Sequence, residues 1–235
     1  MPILRKNKIR KPKQRKQPSG QGLVELTLVL PVLIIVVSSL IEFGFMLNQY
    51  MGLIDAARNA ARFGSDGSYY VADSDRVCKT TQDYFRQLGC LVSAELRQER
   101  PFVAMNDNST PNDFSDDYLG PNRGDDVVIS VFSISQGSPA TVDDRFPNGS
   151  GWSYAQDLLS YGIRNHDSAF SDAEVESKLD SGAPSTGLLL VEIFYSYEQL
   201  LKLPWITAFI PEMMPLHVYT FMPLSSAEPT PTPEP

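Results

Sequence analysis

KQRKQPSGQGLVELTLVLPVLIIVV, residues 13–37, decides how the chain is read. Its apolar run begins at Leu23, and Glu25 stands third in that run. A carboxylate near the end of a membrane helix costs up to a few kcal/mol, depending on depth, so its presence points to a function with a specific partner. The stretch Leu26–Ile41 is free of charge over 16 residues, about 24 Å of helix. Extended to Leu23 and Leu47 it has 25 positions and a length of about 37 Å, enough to cross a hydrocarbon core of about 30 Å. That span places Glu25 and Glu42 near its two ends. A secretory signal peptide shares the pattern of basic residues followed by an apolar run. No small-x-small cleavage site follows here, and SSLIEFGFMLNQY continues the helix instead.

Charge is split along the 235 residues. Residues 1–20 hold eight basic side chains and no acid, while all 28 acidic residues follow Gly20 and leave the remainder at about −16. A basic tail can bind nucleic acid, but cations flanking a membrane span mark the cytoplasmic side, and the acidic remainder does not suit a polyanion. The expected partner of the tail is the membrane, with no nucleic acid. The chain beyond the span is expected outside the cytoplasm.

Helical periodicity runs on through NQYMGLIDAARNAARFG, with Tyr50, Ile54, Ala57 and Ala61 on one face and Asp55, Arg58, Asn59 and Arg62 turned away. A helix of about 40 residues ending near Phe63 results, with Gly64 as its C-cap, an alanine-rich face open to close packing, and a kink at Pro31. The remainder reads as α+β. SDRVCKTTQDYFRQLGCL (74–91) is expected to be helical, DVVISVFSI (126–134), GLLLVEIFYSYEQLL (187–201) and LHVYTFMPL (216–224) to be strands, and AELRQERPFVAM (94–105) a fourth strand. The long connection 135–187 is expected to decorate the sheet without being needed to form it. It carries short helices near 153–161 and 172–180, the second introduced by the capping-box pair Ser171 and Glu174. The expected organisation is a basic cytoplasmic leader 1–20, a transmembrane and extended helix 21–64, an extracytoplasmic α+β domain with an antiparallel sheet 65–227, and a Pro-rich disordered tail 228–235.

The order basic leader, Gly20, Gln21, Glu25 at the fifth position after the glycine, then an apolar helix, resembles the processing site of type IV prepilins. More narrowly, Gly20-Gln21, Val24-Glu25, Leu30-Pro31, Glu42-Phe43-Gly44, Ala57-Arg58 and Ala61-Arg62 resemble the amino-terminal region of the TadE-like proteins, pseudopilins of the tight-adherence pilus system. Leu26 stands where that family often has an aromatic residue. The resemblance covers residues 19–64 and implies a structural minor pilin, cut by a prepilin peptidase between Gly20 and Gln21. It also implies partner pilins, with Gln21 and Glu25 at the assembly contact: Glu25 of one subunit would neutralise a neighbour's terminal ammonium. A membrane-anchored ligand-binding module outside any pilus is the alternative, and that module would need neither Gly20 nor Glu25 in this register.

Cys78 and Cys90, twelve positions apart at the two ends of the predicted helix, are about 18 Å apart by helical rise, too far to bond unless the helix breaks. A disulfide and two buried thiols both stay open. No CxxC or paired His points to a metal, and no cofactor is implied. His166 and His217 are isolated, and no Ser/His/Asp spacing is legible, so no catalytic residue is expected and the chain is not read as an enzyme. NDNSTPNDFSDD (106–117) lacks the fixed spacing of a calcium loop. Arg123-Gly124-Asp125 matches an integrin-binding tripeptide that three residues produce by chance.

Overall fold

A computed structural model describes residues 20–65, 84–98, 103–106, 109, 117–135, 137, 139–158, 164–180, 186–208 and 210–224. The leader before Gly20, Cys78, most of the acidic stretch 106–117 and the Pro-rich tail lie outside the described residues. The chain divides between Ile41 and Glu42 into two units, joined by one helix, α1 (Gln21–Ser65), that contains Pro31 without ending there.

In the first unit the apolar side chains are turned outward all around the helix: Leu23, Leu28, Val32 and Val36 are each at least 60% exposed. A helix apolar on every side needs an apolar solvent. Its few hydroxyls are satisfied locally, since Thr27 Oγ1 donates to Leu23 O (2.8 Å) and Ser39 Oγ to Ile35 O (2.8 Å). Such back-bonding removes the cost of an unmade hydrogen bond in hydrocarbon. From Gln21 to Ile41 the helix rises about 31 Å, the thickness of a bilayer core.

In the second unit α1 becomes the spine of a folded domain. Leu53, Ala56, Ala57, Ala60 and Ala61 are buried in one core with the sheet. Alanine has no side chain beyond Cβ to hold two backbones apart, which explains the repeated Ala-Ala-Arg: the alanines face in and Arg58 and Arg62 are exposed. The buried stripe differs from the predicted one at its start. Tyr50 is exposed and Ile54 half-buried, whereas Leu53 is sealed, because the core sits one position round from the face that the larger side chains mark. The alanine-rich face is covered by the chain's own sheet.

The second helix, α2 (Tyr84–Gln98), is amphipathic, with Leu88, Val92 and Leu96 four residues apart and buried. It overturns the predicted strand over 94–105: Ala94–Gln98 complete this helix, and Val103–Met105 form no strand. Arg and Gln between Leu96 and Pro101 suit helix or loop, and the aliphatic residues before them keep the 3.6-residue period.

Four strands form an antiparallel sheet in the order β2 (Thr141–Phe146), β1 (Asp126–Ser135), β4 (Thr186–Glu198), β5 (Met213–Leu224), with the short β3 (Trp152–Ser153) beside β2 along the same edge of β1. The three strands read from sequence are thus the central pair and one neighbour, and the α+β architecture with a long N-terminal helix holds. Alternation on β1 and β4 turns Val127, Ile129, Val131, Leu189, Val191 and Ile193 toward the helices. The opposite face carries Phe132, Ile134 and Leu190 in a smaller core with Val175. That second core is closed by α4 (Asp172–Glu176), whose Ser171 and Glu174 form the full reciprocal capping box. A single turn, α3 (Tyr154–Leu158), follows β3, and another, α5 (Pro204–Thr207), lies between β4 and β5.

The connection 135–187 is more than decoration. It supplies β2 and β3, and it provides donors to two carboxylates sealed on the sheet. Asp126 accepts from Ser153 Oγ (2.7 Å), Ala155 N (2.9 Å) and His166 N (3.2 Å). Glu192 accepts from Ser168 Oγ and Ala169 N (3.0 Å), and His217 Nε2 lies 3.0 Å from it. Both acids are 0% exposed, so without those donors each would be a bare buried charge.

Candidate functional site

The residues singled out in the leader motif lie at the start of α1. Gly20 immediately precedes the helix, its carbonyl accepting from Val24 N at 3.3 Å. A Cβ built there meets nothing within 4 Å among the described residues. Gln21 opens the helix. Glu25 is exposed on the next turn, four residues further along the helix. Leu30 and Pro31 follow within the apolar half.

Glu42 behaves otherwise. It is 5% exposed, and its carboxylate gathers three donors: Oε1 accepts from the Tyr197 hydroxyl and from Leu200 N (2.9 Å), Oε2 from Leu201 N (3.0 Å). These donors lie 155 to 159 residues further along the chain. Sequence placed Glu42 as a tolerated charge near the outer end of the span; it is instead the acceptor that holds the turn after β4 onto α1. The acidic-aromatic-glycine step is explained in the same way. Glu42 points into the domain, Phe43 is 54% exposed, and Gly44 has open space beside it. No local signal could have exposed this role, because both backbone donors belong to a turn far away in sequence. Burial pushes the Tyr197 phenol well above its usual range, with the Glu42 hydrogen bond acting in the same sense, so Tyr197 is a donor at physiological pH.

Below the turn, Gln199 closes its base. Gln199 N donates to Glu212 O (3.1 Å), and its side-chain amide donates to the carbonyls of Ile210 (3.2 Å) and Pro211 (3.0 Å). The described residues 200–208 and 210 are thereby a pinched loop tethered to residue 42.

The two histidines are brought together around one ring. His166 stacks on Phe194 at 4.3 Å between centroids and 5° between planes, and His217 stacks on its other side at 4.4 Å and 13°. His166 Nε2 lies 2.9 Å from Gly124 O. Both rings are thus committed to structure. Among the described residues no three His, Cys, Asp or Glu side chains converge as metal ligands would.

Arg123-Gly124-Asp125 is a structural clamp. Asp125 is 0% exposed and accepts from Ser196 N at 2.7 Å, while Arg123 donates through Nη2 to Ser196 O (2.8 Å) and pairs with Glu198 (3.5 Å). Burial raises the Asp125 carboxyl to about 6. A tripeptide whose aspartate is sealed against β4 presents no acid to an outside receptor. Cys90 lies on α2, is 4% exposed and is disulfide-bonded; Tyr84–Leu91 of the helix expected over 74–91 are helical, and the part of it that holds Cys78 lies outside the described residues.

A cleft of about 540 Å³ opens beside Pro147, Asn148, Trp152, Gln156 and Arg164. The Arg164 guanidinium there is taken up by the carbonyls of Ser150 (3.0 Å) and Gly151, which fixes the loop ahead of β3.

The arrangement defines a class: a protein whose described residues include one apolar N-terminal helix fit to serve as a single-pass membrane anchor, the C-terminal half of which is the spine of an α+β domain. Residues 20–62 match the family described as TadE-like protein. The match ends one residue short of Phe63, so it includes both the bare apolar half of α1 and the alanine stripe. It associates the chain with the pilus-linked, minor-pilin-like proteins of that family. Comparison with curated proteins and with solved structures returned no match.

Proposed function

We propose that this chain is a non-enzymatic minor pilin or pseudopilin of a tight-adherence pilus, held in the cytoplasmic membrane with residues 1–20 inside and the α+β domain outside. A prepilin peptidase removes the leader between Gly20 and Gln21, and the mature helix assembles with other pilins, Glu25 facing a neighbour's terminal ammonium. One observation carries the reading: the family match over residues 20–62 coincides with a helix whose first half is apolar on every side and has an exposed carboxylate one turn inside its start. A plain anchor has no use for that carboxylate. Surface adhesion by the domain is a further part of this proposal, and the cleft beside Trp152 is where a ligand would be sought.

Mass spectrometry of the mature amino terminus, in a host with its prepilin peptidase active, tests processing. Gln21 is the expected first residue, and an intact leader or a cut beyond Leu47 would overturn it. Because Gly20 has open space around it, Gly20→Leu should leave the fold unchanged and the leader attached. Orientation is tested by Ser65→Cys, which should react with an impermeant thiol reagent in whole cells beyond the background of the wild-type chain. For assembly, Glu25→Gln should keep protein level and leader removal while abolishing piliation or co-purification with partner pilins. Normal piliation in that variant would sink the charge-pairing reading.

A further inference from the structure

We propose that the loop 200–210 is a membrane-interface contact: it beds into the headgroup boundary of the outer leaflet and fixes how the domain stands on the bilayer. The inference rests on reading residues 21–41 as the membrane span. The Glu42 carboxylate, on the first residue after that run, is hydrogen-bonded to Leu200 N and Leu201 N. The loop is therefore tethered to the residue that directly follows that run.

Its composition suits that depth. LLKLPWITAFI has one charge in eleven residues, Lys202, and the apolar side chains are not withdrawn into the core. Leu200 is 46% exposed and Ile210 40%, and Leu201, Leu203 and Trp205 are half-buried. The other exposed large apolar side chains described on this domain are Phe43, Leu47, Tyr50 and Met51 on α1 and Met213 and Tyr219 on β5, and a loop this apolar calls for a covering surface. Trp is the residue most suited to the boundary between headgroups and acyl chains, with an apolar body and one N–H donor. Lys202, paired with Glu198, has a stem long enough to keep its charge in water while the loop lies deeper. The pinch at Gln199 presents the loop as a preformed wedge, so little ordering entropy is lost on contact. The tether of the loop to Glu42, the residue that follows the span in sequence, selects the bilayer over a second protein as the occupant.

The test uses the full chain in phosphatidylcholine and phosphatidylglycerol vesicles, with and without lipid brominated near the top of its acyl chains. Flotation with the vesicles establishes insertion of the helix. Trp152 stacks on Phe85 and serves as the unquenched reference. Since Trp205 is one of two tryptophans, brominated lipid should remove up to about half of the emission from the wild type and very little from Trp205→Phe. Leu200→Ser with Ile210→Ser should reduce the quenching while the domain still melts as before. Flotation with equal emission in plain and brominated vesicles overturns the proposal and leaves the anchor intact; failure to float overturns both. Efficient crosslinking between copies carrying Leu200→Cys, together with absent quenching, would assign the loop to a subunit contact instead.

Discussion

Removing the Glu42 carboxylate should destabilise the α+β domain even though residue 42 adjoins the apolar run. Glu42→Ala leaves three donors without their acceptor: the Tyr197 hydroxyl, Leu200 N and Leu201 N. A hydrogen bond to a charged group contributes about 1.5–3 kcal/mol, and a buried donor left unmade costs about 1–3 kcal/mol. The three bonds share one carboxylate and are not additive, and the loop can open to let water reach the two amides, so the expected loss is about 3–5 kcal/mol. For a domain of this size each kcal/mol lowers Tm by about 2–4 °C, giving a fall of roughly 6–20 °C. Near-UV circular dichroism of the full chain in detergent would read it. Glu42→Gln keeps one acceptor but turns an amide N–H₂ toward a backbone donor, and should lose about half as much. Tyr197→Phe removes one donor and should lose about 1–2 kcal/mol. Adding Tyr197→Phe to Glu42→Ala should then cost little more, because the bond is already gone. A Glu42→Ala protein that melts within about 0.5 kcal/mol of wild type, or a double variant whose losses simply add, would refute the clamp.

Three further outcomes follow from the packing. Ala57→Leu puts a large side chain where α1 meets the sheet with 0% exposure and should cost about 1–3 kcal/mol or more, measured by urea unfolding; the same change at exposed Asn59 should be near neutral. Arg145→Met removes donors to Ser130 Oγ (2.8 Å) and Phe170 O (2.9 Å). Its ionic partner Asp172 is largely solvated, so the loss should stay near about 1–3 kcal/mol, and an unchanged urea midpoint would refute that accounting. Asp125 has a folded pKa raised by burial to about 6 from 3.8, so the folded state holds its proton more tightly than the unfolded chain. Stability from this group is therefore fully present below about pH 4 and is lost as pH rises toward 6, by up to about 3 kcal/mol. Relative to Asp125→Asn the wild type should weaken over that window, and parallel curves would show that the shift is not real.

The elements legible in sequence are those whose cause is local. β1, β4 and β5 announce themselves through β-branched runs, and Ser171 with Glu174 sets α4 through a contact three residues long. TVDDRF carries no strand signal because three of its six residues are charged; as β2 it is an edge strand, exposed along Asp143 and Asp144, with Arg145 buried and Val142 and Phe146 packed against the cores. The strand expected over 94–105 fails since Leu88, Val92 and Leu96 carry the helical period past the point where the predicted helix stopped. At the candidate site the register of Gly20, Gln21 and Glu25 is visible because it is written within six residues. The roles of Glu42, Asp126 and Glu192 are not, because an acid's partners across a sheet leave no mark beside it. Each looked like one more solvated charge in an acidic chain, and each proved to be an acceptor that donors from distant segments converge on.

The outer half of α1 is pinned at both of its ends. At one end Glu42 holds the turn after β4; at the other, Tyr84 donates its hydroxyl proton to Gly64 O (3.2 Å), and a Cβ at Gly64 would lie only 2.7 Å from Leu88 and Leu189. The two pins stand 22 residues apart, about 33 Å of helix, with the alanine stripe between them. A load applied along the helix, as when a subunit is drawn out of a bilayer, therefore reaches the sheet in shear, spread over both pins and the buried face at once, rather than peeling one contact after another. The domain would travel with residues 42–64 of α1 as a single mechanical part.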